Sequence, residues 1–293
     1  MVEKVDLLRR DISERAYVEE VHTYLEASLA GDWSFVAAQW TGSSGTDVEL
    51  PKTRFPKIVF LVSDERHRIP RFADDREVFL VFKQYAPSAG GHPKVRPVPL
   101  GCAYGYRADA STPVGKRQYA YSFVGHAHQN RDEFRRHVEA LPQGLKDQGY
   151  VLWNSEFGRG LPRSDYSRIM SQTKIALCPE GQTSDESFRY FEALAAGCVV
   201  LTTPKPDVWF YQGAPHIETT SWSDLERHLT NLLCQETVLE TLSRRSLEWW
   251  NRCCPEAVGA YMRMEIERPA ALTGSQRLGE SVKMLWKRRV TRA

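Results

Sequence analysis

A charged loop at residues 63–68 follows an apolar run and carries side chains that could transfer protons. Its sequence, Ser-Asp-Glu-Arg-His-Arg, places Asp64, Glu65 and His67 beyond the strand predicted at residues 57–62. Carboxylates and imidazole are common general bases, and the catalytic groups of open α/β sheets lie beyond the carboxyl ends of the strands. We interpret Glu65 as the first candidate base and Asp64 as the second. A solvated charged loop is the alternative, and it would also explain the two arginines.

A second charged pair, Arg189 and Glu192, lies in a helix predicted at residues 186–196. Residues three apart share one face of a helix. An arginine there can bind a diphosphate through two parallel hydrogen bonds, and a carboxylate one turn later can accept hydrogen bonds from ribose hydroxyls. Residues 183–186, Thr-Ser-Asp-Glu, match a capping box, which predicts a helix start whose N–H groups suit a phosphate. An exposed ion pair that contributes little stability is the alternative.

A third candidate is the segment 125–131, Gly-His-Ala-His-Gln-Asn-Arg, between a predicted strand and a predicted helix. Gly125 lets the backbone approach a ligand closely, and Arg131 at the helix start could meet a phosphate. His126 and His128 are two residues apart, which is not the spacing of a helical zinc pair, and no HExxH motif occurs. They could hydrogen-bond a diphosphate or an acceptor, or they are ordinary loop histidines.

Two other polar features carry weaker signals. Asp74 and Asp75 form an acidic pair in a polar loop without further ligands, so we predict no metal site there. Lys83 follows the end of a predicted strand and could meet a phosphate or an acidic sugar, although a residue at the edge of the core is the more ordinary interpretation.

The elements that must position these residues form two runs of apolar and amphipathic segments. The segment 95–100 contains two prolines and is predicted as a short edge strand. From Ser223 onwards the chain is predicted to be mostly helical. Strands are predicted at 33–40, 57–62, 78–82, 95–100, 119–124, 150–153, 174–178 and 198–202, helices at 5–29, 130–141, 163–172 and 186–196, and loops at 42–45 and 87–93.

The alternation of strands and helices predicts an α/β protein with parallel sheets covered by helices on both faces. The length of 293 residues suits two small domains or one large one. The Pro- and Gly-containing segment 108–116 is the best linker candidate, so we predict domains at residues 1–113 and 114–293.

The segment 177–198 resembles the nucleotide-sugar-binding signature of exostosin-like inverting glycosyltransferases. The resemblance is carried by Leu-Cys-Pro-x-Gly and then by Asp185-x-Ser187-x-Arg189-x-x-Glu192-Ala-Leu-x-Ala-Gly197-Cys198. It extends more weakly to Ser122-Phe-Val-Gly125 with Arg131, to Ser63-Asp64-Glu65 and to Pro99-Leu100-Gly101, and so covers about residues 57–203.

This resemblance implies the GT-B fold, with two Rossmann-like domains, a cleft between them and C-terminal helices. It implies transfer of a sugar from a nucleoside-diphosphate sugar, with UDP as the first candidate nucleotide, to a hydroxyl of a glycan acceptor. Inversion at the anomeric carbon and independence of metals or other cofactors follow from it as well. Glu65 or Asp64 would be the base, and the donor would contact Gly125, Arg131, Pro179, Glu180, Gly181, Ser187, Arg189 and Glu192.

Two other classes of protein are alternatives. A non-catalytic nucleotide- or sugar-binding module of the same fold would keep Arg189 and Glu192 but would need no base at residues 64–65. A Rossmann dehydrogenase is disfavoured because the chain contains no GxGxxG motif.

The composition is that of a folded soluble chain, with 42% hydrophobic and 26% charged residues and a net charge of +2. Residues 277–293 carry six basic residues and one acidic residue, a local charge of +5 that leaves −3 on the rest of the chain. An acidic body argues against nucleic-acid binding, whereas the basic tail could contact an anionic membrane or form a solvated C-terminal helix.

The N-terminus shows no apolar signal sequence, and the six cysteines show no metal-binding or paired spacing. We therefore expect a reduced, cytoplasmic protein, with a peripheral membrane contact through the tail as the alternative location.

Overall fold

The computed structural model describes residues 1–40, 48–85, 91–155 and 160–268. Two five-stranded parallel sheets form its framework, with strand orders β1-β2-β3-β4-β5 and β10-β9-β8-β6-β7. The strands are β1 (Val2–Asp6), β2 (Trp33–Gln39), β3 (Lys57–Val62), β4 (Val78–Lys83), β5 (Val95–Pro97), β6 (Tyr119–His126), β7 (Gly149–Asn154), β8 (Thr173–Cys178), β9 (Val199–Thr202) and β10 (Ile217–Glu218). The helices are α1 (Arg15–Ser28), α2 (Asp132–Glu139), α3 (Gln143–Lys146), α4 (Arg163–Ser171), α5 (Phe188–Ala195), α6 (Leu225–Leu233), α7 (Glu236–Cys253) and α8 (Pro255–Ile266).

The central strands are mostly apolar and buried because helices or loops cover both faces of each sheet. Every residue of β3 is buried, as expected for a parallel strand between two layers. Helices α1 and α8 pack through Val18, Leu25 and Met262 against Phe35 and Phe60 of the first sheet. The predicted α/β class with parallel sheets is therefore confirmed.

The last helix returns to the first half of the molecule. After α7, helix α8 packs along α1 and joins the core of the first sheet. The hydroxyl of Tyr17 donates to the carbonyl of Cys253 at 2.6 Å, and the indole N–H of Trp209 donates to the carbonyl of Pro97 at 3.0 Å. These contacts join the two sheets into one body with a cleft between them.

Three local predictions were wrong. Residues 5–29 do not form one helix, because the Val-Glu-Lys-Val-Asp segment pairs in parallel with β2 as an edge strand and α1 begins only at Arg15. Helix α5 begins at Phe188 and not at residue 186. The hydroxyl of Thr183 donates to Oε2 of Glu65 and therefore does not cap the helix. Strand β6 continues to His126, so Gly125 lies in a strand and not in a loop.

Several predicted features lie outside the described residues: the basic tail 277–293, the loop 42–45 and most of the loop 87–93. In the described part of the chain, no helix is both long and apolar enough to cross a membrane. All six cysteines are unpaired, and only Cys234 is exposed.

Candidate functional site

A cavity of about 370 Å³ lies between the two sheets, next to the carboxyl ends of β3, β6, β7 and β8. We call it the interdomain cavity. Parallel strands of an open sheet bring their carboxyl ends to one edge, which is where such folds place ligands. The first half of the chain lines it with Ser13, Glu65, Tyr85, Ala103, Tyr104 and Tyr106, and the second half with Val124, Gly125, His126, His128, Arg131, Asn154, Gly160, Leu161, Arg163, Tyr166, Gly181, Gln182, Glu186, Ser187, Phe188, Arg189 and Glu192.

Two arginines lie over the same aromatic ring in the wall of this cavity. The guanidinium of Arg189 lies 4.4 Å from the ring centroid of Phe123, and that of Arg131 lies 5.6 Å from it. Burial and the neighbouring Arg189 lower the pKa of Arg131 to about 9. Two positive charges held together in a largely buried wall create a local site for an anion.

Only one of the three nitrogens of the Arg189 guanidinium has a hydrogen-bond partner. Its Nη2 donates to the carbonyl of Val124 at 2.5 Å, whereas its Nε and Nη1 are buried without a hydrogen-bond partner. A Cβ atom on Gly125 would lie 2.3 Å from Nη2 of Arg189, so a side chain at this position would displace the guanidinium. The glycine in β6 is therefore what lets Arg189 lie against the strand.

Arg131 shapes the loop between β8 and α5. Its Nε and Nη2 donate to the carbonyl of Glu180 at 2.9 and 2.7 Å, and its Nη1 donates to the carbonyl of His126 at 3.1 Å. This loop begins at Pro179, directly after β8. Arg131 thus acts on the loop backbone and contributes charge to the cavity at the same time.

The rest of this loop is tightly turned. The N–H of Gly181 donates to the carbonyl of Ser184 at 2.7 Å, and a Cβ on Gly181 would lie 2.6 Å from the carbonyl oxygen of Glu186. Ser187 precedes α5 in an extended conformation, and its buried hydroxyl has no partner. The predicted residues Gly181, Ser187, Arg189 and Glu192 all reach the cavity lining, whereas Pro179 and Glu180 do not.

Glu192 is buried and does not pair with Arg189. One carboxylate oxygen accepts a hydrogen bond from the N–H of Ala103 at 3.1 Å, and the other accepts one from the hydroxyl of Tyr166 at 2.6 Å. Burial raises the pKa of Glu192, and these two bonds oppose the increase. The alternative of an exposed ion pair is therefore wrong, and Glu192 instead joins the second domain to the segment that follows β5.

The two candidate carboxylates after β3 have different surroundings. Asp64 is 1% exposed and bonds the backbone and guanidinium of Arg68, and its Oδ2 lies 3.3 Å from Nζ of Lys83. Glu65 is half-buried, lines the cavity and accepts two hydrogen bonds from Thr183 of the opposite half. Only Glu65 of this pair is placed where an acceptor could reach it.

Of the three candidate histidines, His126 and His128 line the cavity and His67 does not. His67 lies 4.0 Å from the buried carboxylate of Glu186. His126 and His128 line the cavity with ring centroids 5.7 Å apart, and Nε2 of His128 is buried without a partner. Burial, with Arg131 next in effect, lowers the pKa of His128 to about 4, so its imidazole is neutral at pH 7.

The sequence did not reveal the aromatic part of the lining. Tyr104, Tyr106 and Tyr166 form one wall, with the rings of Tyr106 and Tyr166 5.7 Å apart and the guanidinium of Arg163 5.1 Å from the ring of Tyr104. These residues come from the segment after β5 and from α4, which carry no motif, so only the fold brings them together. Across the described ranges, no group of three or more His, Cys, Asp or Glu side chains could hold a metal ion.

Comparisons with known proteins agree with this architecture. Residues 117–248 match a family model described as glycosyl transferase-like. WaaG, a glycosyltransferase involved in lipopolysaccharide biosynthesis, superposes with a TM-score of 0.51 at 11% identity over 92% of this chain and 100% of its own. An alpha1,3-fucosyltransferase with GDP-fucose has a TM-score of 0.49 at 9% identity over 94% and 93% of the two chains. Anabaena Alr3699/HepE in complex with UDP-glucose has a TM-score of 0.47 at 10% identity over 85% and 80%.

No curated protein matches the sequence. At 11% identity the likeness to WaaG concerns the fold alone, and the two parallel-sheet domains of this chain match that GT-B glycosyltransferase structure. The predicted GT-B fold is confirmed.

Proposed function

We propose that the protein is a glycosyltransferase that moves a sugar from a nucleoside-diphosphate sugar to a hydroxyl of a saccharide or glycoconjugate. The glycosyl transferase-like match over residues 117–248 supports this, since that region supplies both arginines of the cavity. The first half of the chain supplies the facing carboxylate of Glu65. Donor and acceptor would then meet across the interdomain cavity.

The unsatisfied guanidinium of Arg189 is the observation that carries the proposal. A buried donor without an acceptor costs about 1–3 kcal/mol, and more when it is charged. A diphosphate in the cavity would supply the acceptors that Nε and Nη1 lack. Arg131 would add a second positive charge, and the first turn of α5 would add the positive end of a helix dipole.

The nucleoside would be held beside the diphosphate by Glu192. A carboxylate has about four lone-pair sites, and Glu192 uses two of them for Tyr166 and Ala103. The remaining sites suit the hydroxyls of a ribose. The resemblance to exostosin-like enzymes makes UDP the first nucleotide to test.

In the proposed reaction, the acceptor oxygen attacks the anomeric carbon in line with the departing diphosphate. Glu65 takes the proton of the acceptor hydroxyl, while Arg189, Arg131 and the start of α5 stabilise the charge that develops on the diphosphate. Asp64 is occupied by Arg68 and Lys83, so we assign the base to Glu65 alone. We propose inversion of the anomeric configuration, following the exostosin-like resemblance.

The experiment begins with calorimetric titration of UDP, GDP, CMP and dTDP into the wild type and Arg189→Ala, with Arg227→Ala on the exposed face of α6 as control. We expect at least one of the diphosphates UDP, GDP and dTDP to bind the wild type and Arg227→Ala equally, and to bind Arg189→Ala about 10- to 150-fold more weakly. Failure of all four to bind would overturn the proposal.

A transfer assay then distinguishes a glycosyltransferase from a non-catalytic binding module. The sugar forms of the bound nucleotide are incubated with a glycan acceptor mixture, and the anomeric proton of the product is followed by NMR. A β-linked product from an α-linked donor would support inversion. Nucleotide binding without transfer to any acceptor would instead favour a non-catalytic binding module.

A further inference from the structure

His128 lies in the cavity wall and has no role in the transfer reaction proposed above. It lies two residues after the end of β6, and Nε2 of its imidazole is buried without a hydrogen-bond partner. Nδ1 of His126 and Nε and Nη1 of Arg189 are also buried and unpartnered. All three residues line the cavity, so one part of its wall holds several polar groups that lack partners.

The charges that act on His128 are mostly positive. Arg131 from the turn before α2, His126 from β6 and Arg189 from α5 oppose a proton on the imidazole, and Asp132 at the start of α2 is the acid that favours one. Burial acts in the same direction as the arginines and lowers the pKa of His128 to about 4. Without an anion in the cavity, His128 is therefore neutral near pH 7.

A bound diphosphate would reverse this balance. Its charges would lie beside Arg131 and Arg189 and would attract a proton to the unpartnered imidazole. We infer that His128 takes up a proton when a nucleoside diphosphate or its sugar binds, and that the resulting imidazolium donates a hydrogen bond to the leaving diphosphate. The inference rests on the proposed function, because it requires a diphosphate in this cavity.

The proton balance of the transfer step remains simple. The bond between the anomeric carbon and the diphosphate oxygen breaks, and its electron pair stays on the diphosphate. The new bond forms from the acceptor oxygen, whose proton goes to Glu65. The His128 proton stays in its hydrogen bond to the diphosphate during the step and leaves when the product dissociates.

Linkage gives the sign of the pH effect. A group whose pKa is higher in the complex than in the free protein makes binding tighter as the pH falls through the pKa of the complex. If binding raises the pKa of His128 far enough above about 4 to protonate the imidazole at pH 6, UDP affinity should increase between pH 8 and pH 6, by at most about tenfold per pH unit, relative to a variant that cannot take up the proton.

The test is calorimetric titration of UDP at pH 6 and pH 8, each in two buffers of different ionisation enthalpy, which gives the number of protons exchanged. His128→Gln keeps an N–H donor but cannot be protonated, and His128→Asn is the second variant. His137→Gln on α2, outside the cavity lining, is the matched control. The terminal phosphate of UDP has a pKa near 6 and titrates in every variant, so the difference between variants isolates His128.

We expect the wild type, His137→Gln and His126→Gln to take up about half a proton or more beyond His128→Gln at pH 6. Equal proton exchange in the wild type and His128→Gln, both binding UDP, would overturn this inference and leave the proposed function intact. Loss of the uptake in His126→Gln but not in His128→Gln would overturn it as well. Absence of UDP binding in the wild type, with GDP, CMP and dTDP also failing, would remove the proposed function and this inference together.

Discussion

Oε2 of Glu65 accepts two hydrogen bonds from Thr183, one from its backbone N–H at 3.1 Å and one from its hydroxyl at 2.6 Å. The residues are 118 positions apart and belong to opposite halves of the chain. The proposed base is therefore held by the loop that would bind the donor. Its orientation depends on how closely the two sheets approach each other.

Replacing Glu65 by glutamine should abolish most of the turnover. The amide oxygen can still accept both hydrogen bonds from Thr183, but the side chain can no longer take a proton. We expect turnover to fall about 10²- to 10⁴-fold, the usual contribution of a general base. UDP affinity should stay within about twofold, because the donor is proposed to bind the other half of the cavity. Steady-state kinetics and titration calorimetry measure the two quantities.

Glu26→Gln is the control for this substitution, since Glu26 is exposed on α1 and is not part of the cavity lining. Near-wild-type turnover in Glu65→Gln would exclude Glu65 as the base. His67 and His128 would then be the next residues to test.

Replacing Thr183 by valine should weaken turnover more than binding. The change removes the hydroxyl bond at 2.6 Å and keeps the backbone bond at 3.1 Å, so Glu65 loses one of its two restraints. We expect turnover to fall about 10- to 150-fold, in line with the loss of one hydrogen bond to a charged group. Thr230→Val, at an exposed position of α6, is the matched control. An equal loss in both variants would show that the Glu65–Thr183 contact has no part in the reaction.

Gly125→Ala should weaken nucleotide binding without a change in any charged residue. The new Cβ would lie 2.3 Å from Nη2 of Arg189, so the guanidinium must move away from its place over Phe123. We expect UDP affinity to fall about as far as in Arg189→Ala, 10- to 150-fold. Titration calorimetry measures this effect, and circular dichroism reports whether the fold is kept.

Gly144→Ala is the control, because nothing lies within 4 Å of a Cβ at that position. If Gly125→Ala binds UDP like the wild type, the position of Arg189 against β6 is not needed for the ligand.

Transfer should not require a divalent metal. Asp74 of the acidic pair contacts Nε2 of His92 at 3.0 Å. The arginines and the start of α5 are proposed to carry the charge of the leaving diphosphate. Activity should therefore persist in excess EDTA, and magnesium should change it less than about threefold through its binding to free diphosphate. Complete loss in EDTA with recovery on adding manganese would contradict the proposed mechanism.

The interior of the fold could be predicted from the sequence, because burial on both faces of a parallel sheet leaves a continuous apolar run. Strand β3 has the predicted limits, and β8 and β9 begin within one residue of theirs. The edge strand β1 could not be predicted, because its charged residues Glu3 and Lys4 interrupt the apolar run. Its extended conformation is set by parallel pairing with β2, a contact between segments distant in sequence.

Part of the cavity lining could be predicted from the sequence, but its aromatic wall and its internal arrangement could not. Motif and spacing identified Arg189, Glu192 and Glu65 as residues that could do chemistry. Contacts between residues distant in sequence determine where each one lies: Thr183 donates to Glu65 across the cleft and does not cap α5, and Tyr166 and Ala103 donate hydrogen bonds to Glu192. Alternation along an extended chain predicts that Asp64 and Glu65 point in different directions, but only Lys83 and Arg68 determine which of them is buried.

Buried Lys83 should make stability depend on pH in the alkaline range. Its ammonium donates to the carbonyls of Gln84 and Tyr85 at 2.9 and 2.6 Å and lies 3.3 Å from Asp64. Burial lowers the pKa of Lys83 from 10.5 to about 8, although Asp64 opposes the decrease. Between these two values the unfolded chain binds the proton and the folded chain does not, so the free energy of unfolding rises with pH.

We therefore expect the unfolding free energy of the wild type, measured in urea, to rise by up to about 3 kcal/mol from pH 7 to pH 10 relative to Lys83→Met. Lys116→Met, at an exposed position, should follow the wild-type pH profile. The methionine variant leaves Asp64 with Arg68 as its remaining charged partner, so its stability is expected to be lower at every pH and only the slope is compared. Parallel profiles for the wild type and Lys83→Met would show that Lys83 keeps an ordinary pKa in the folded protein.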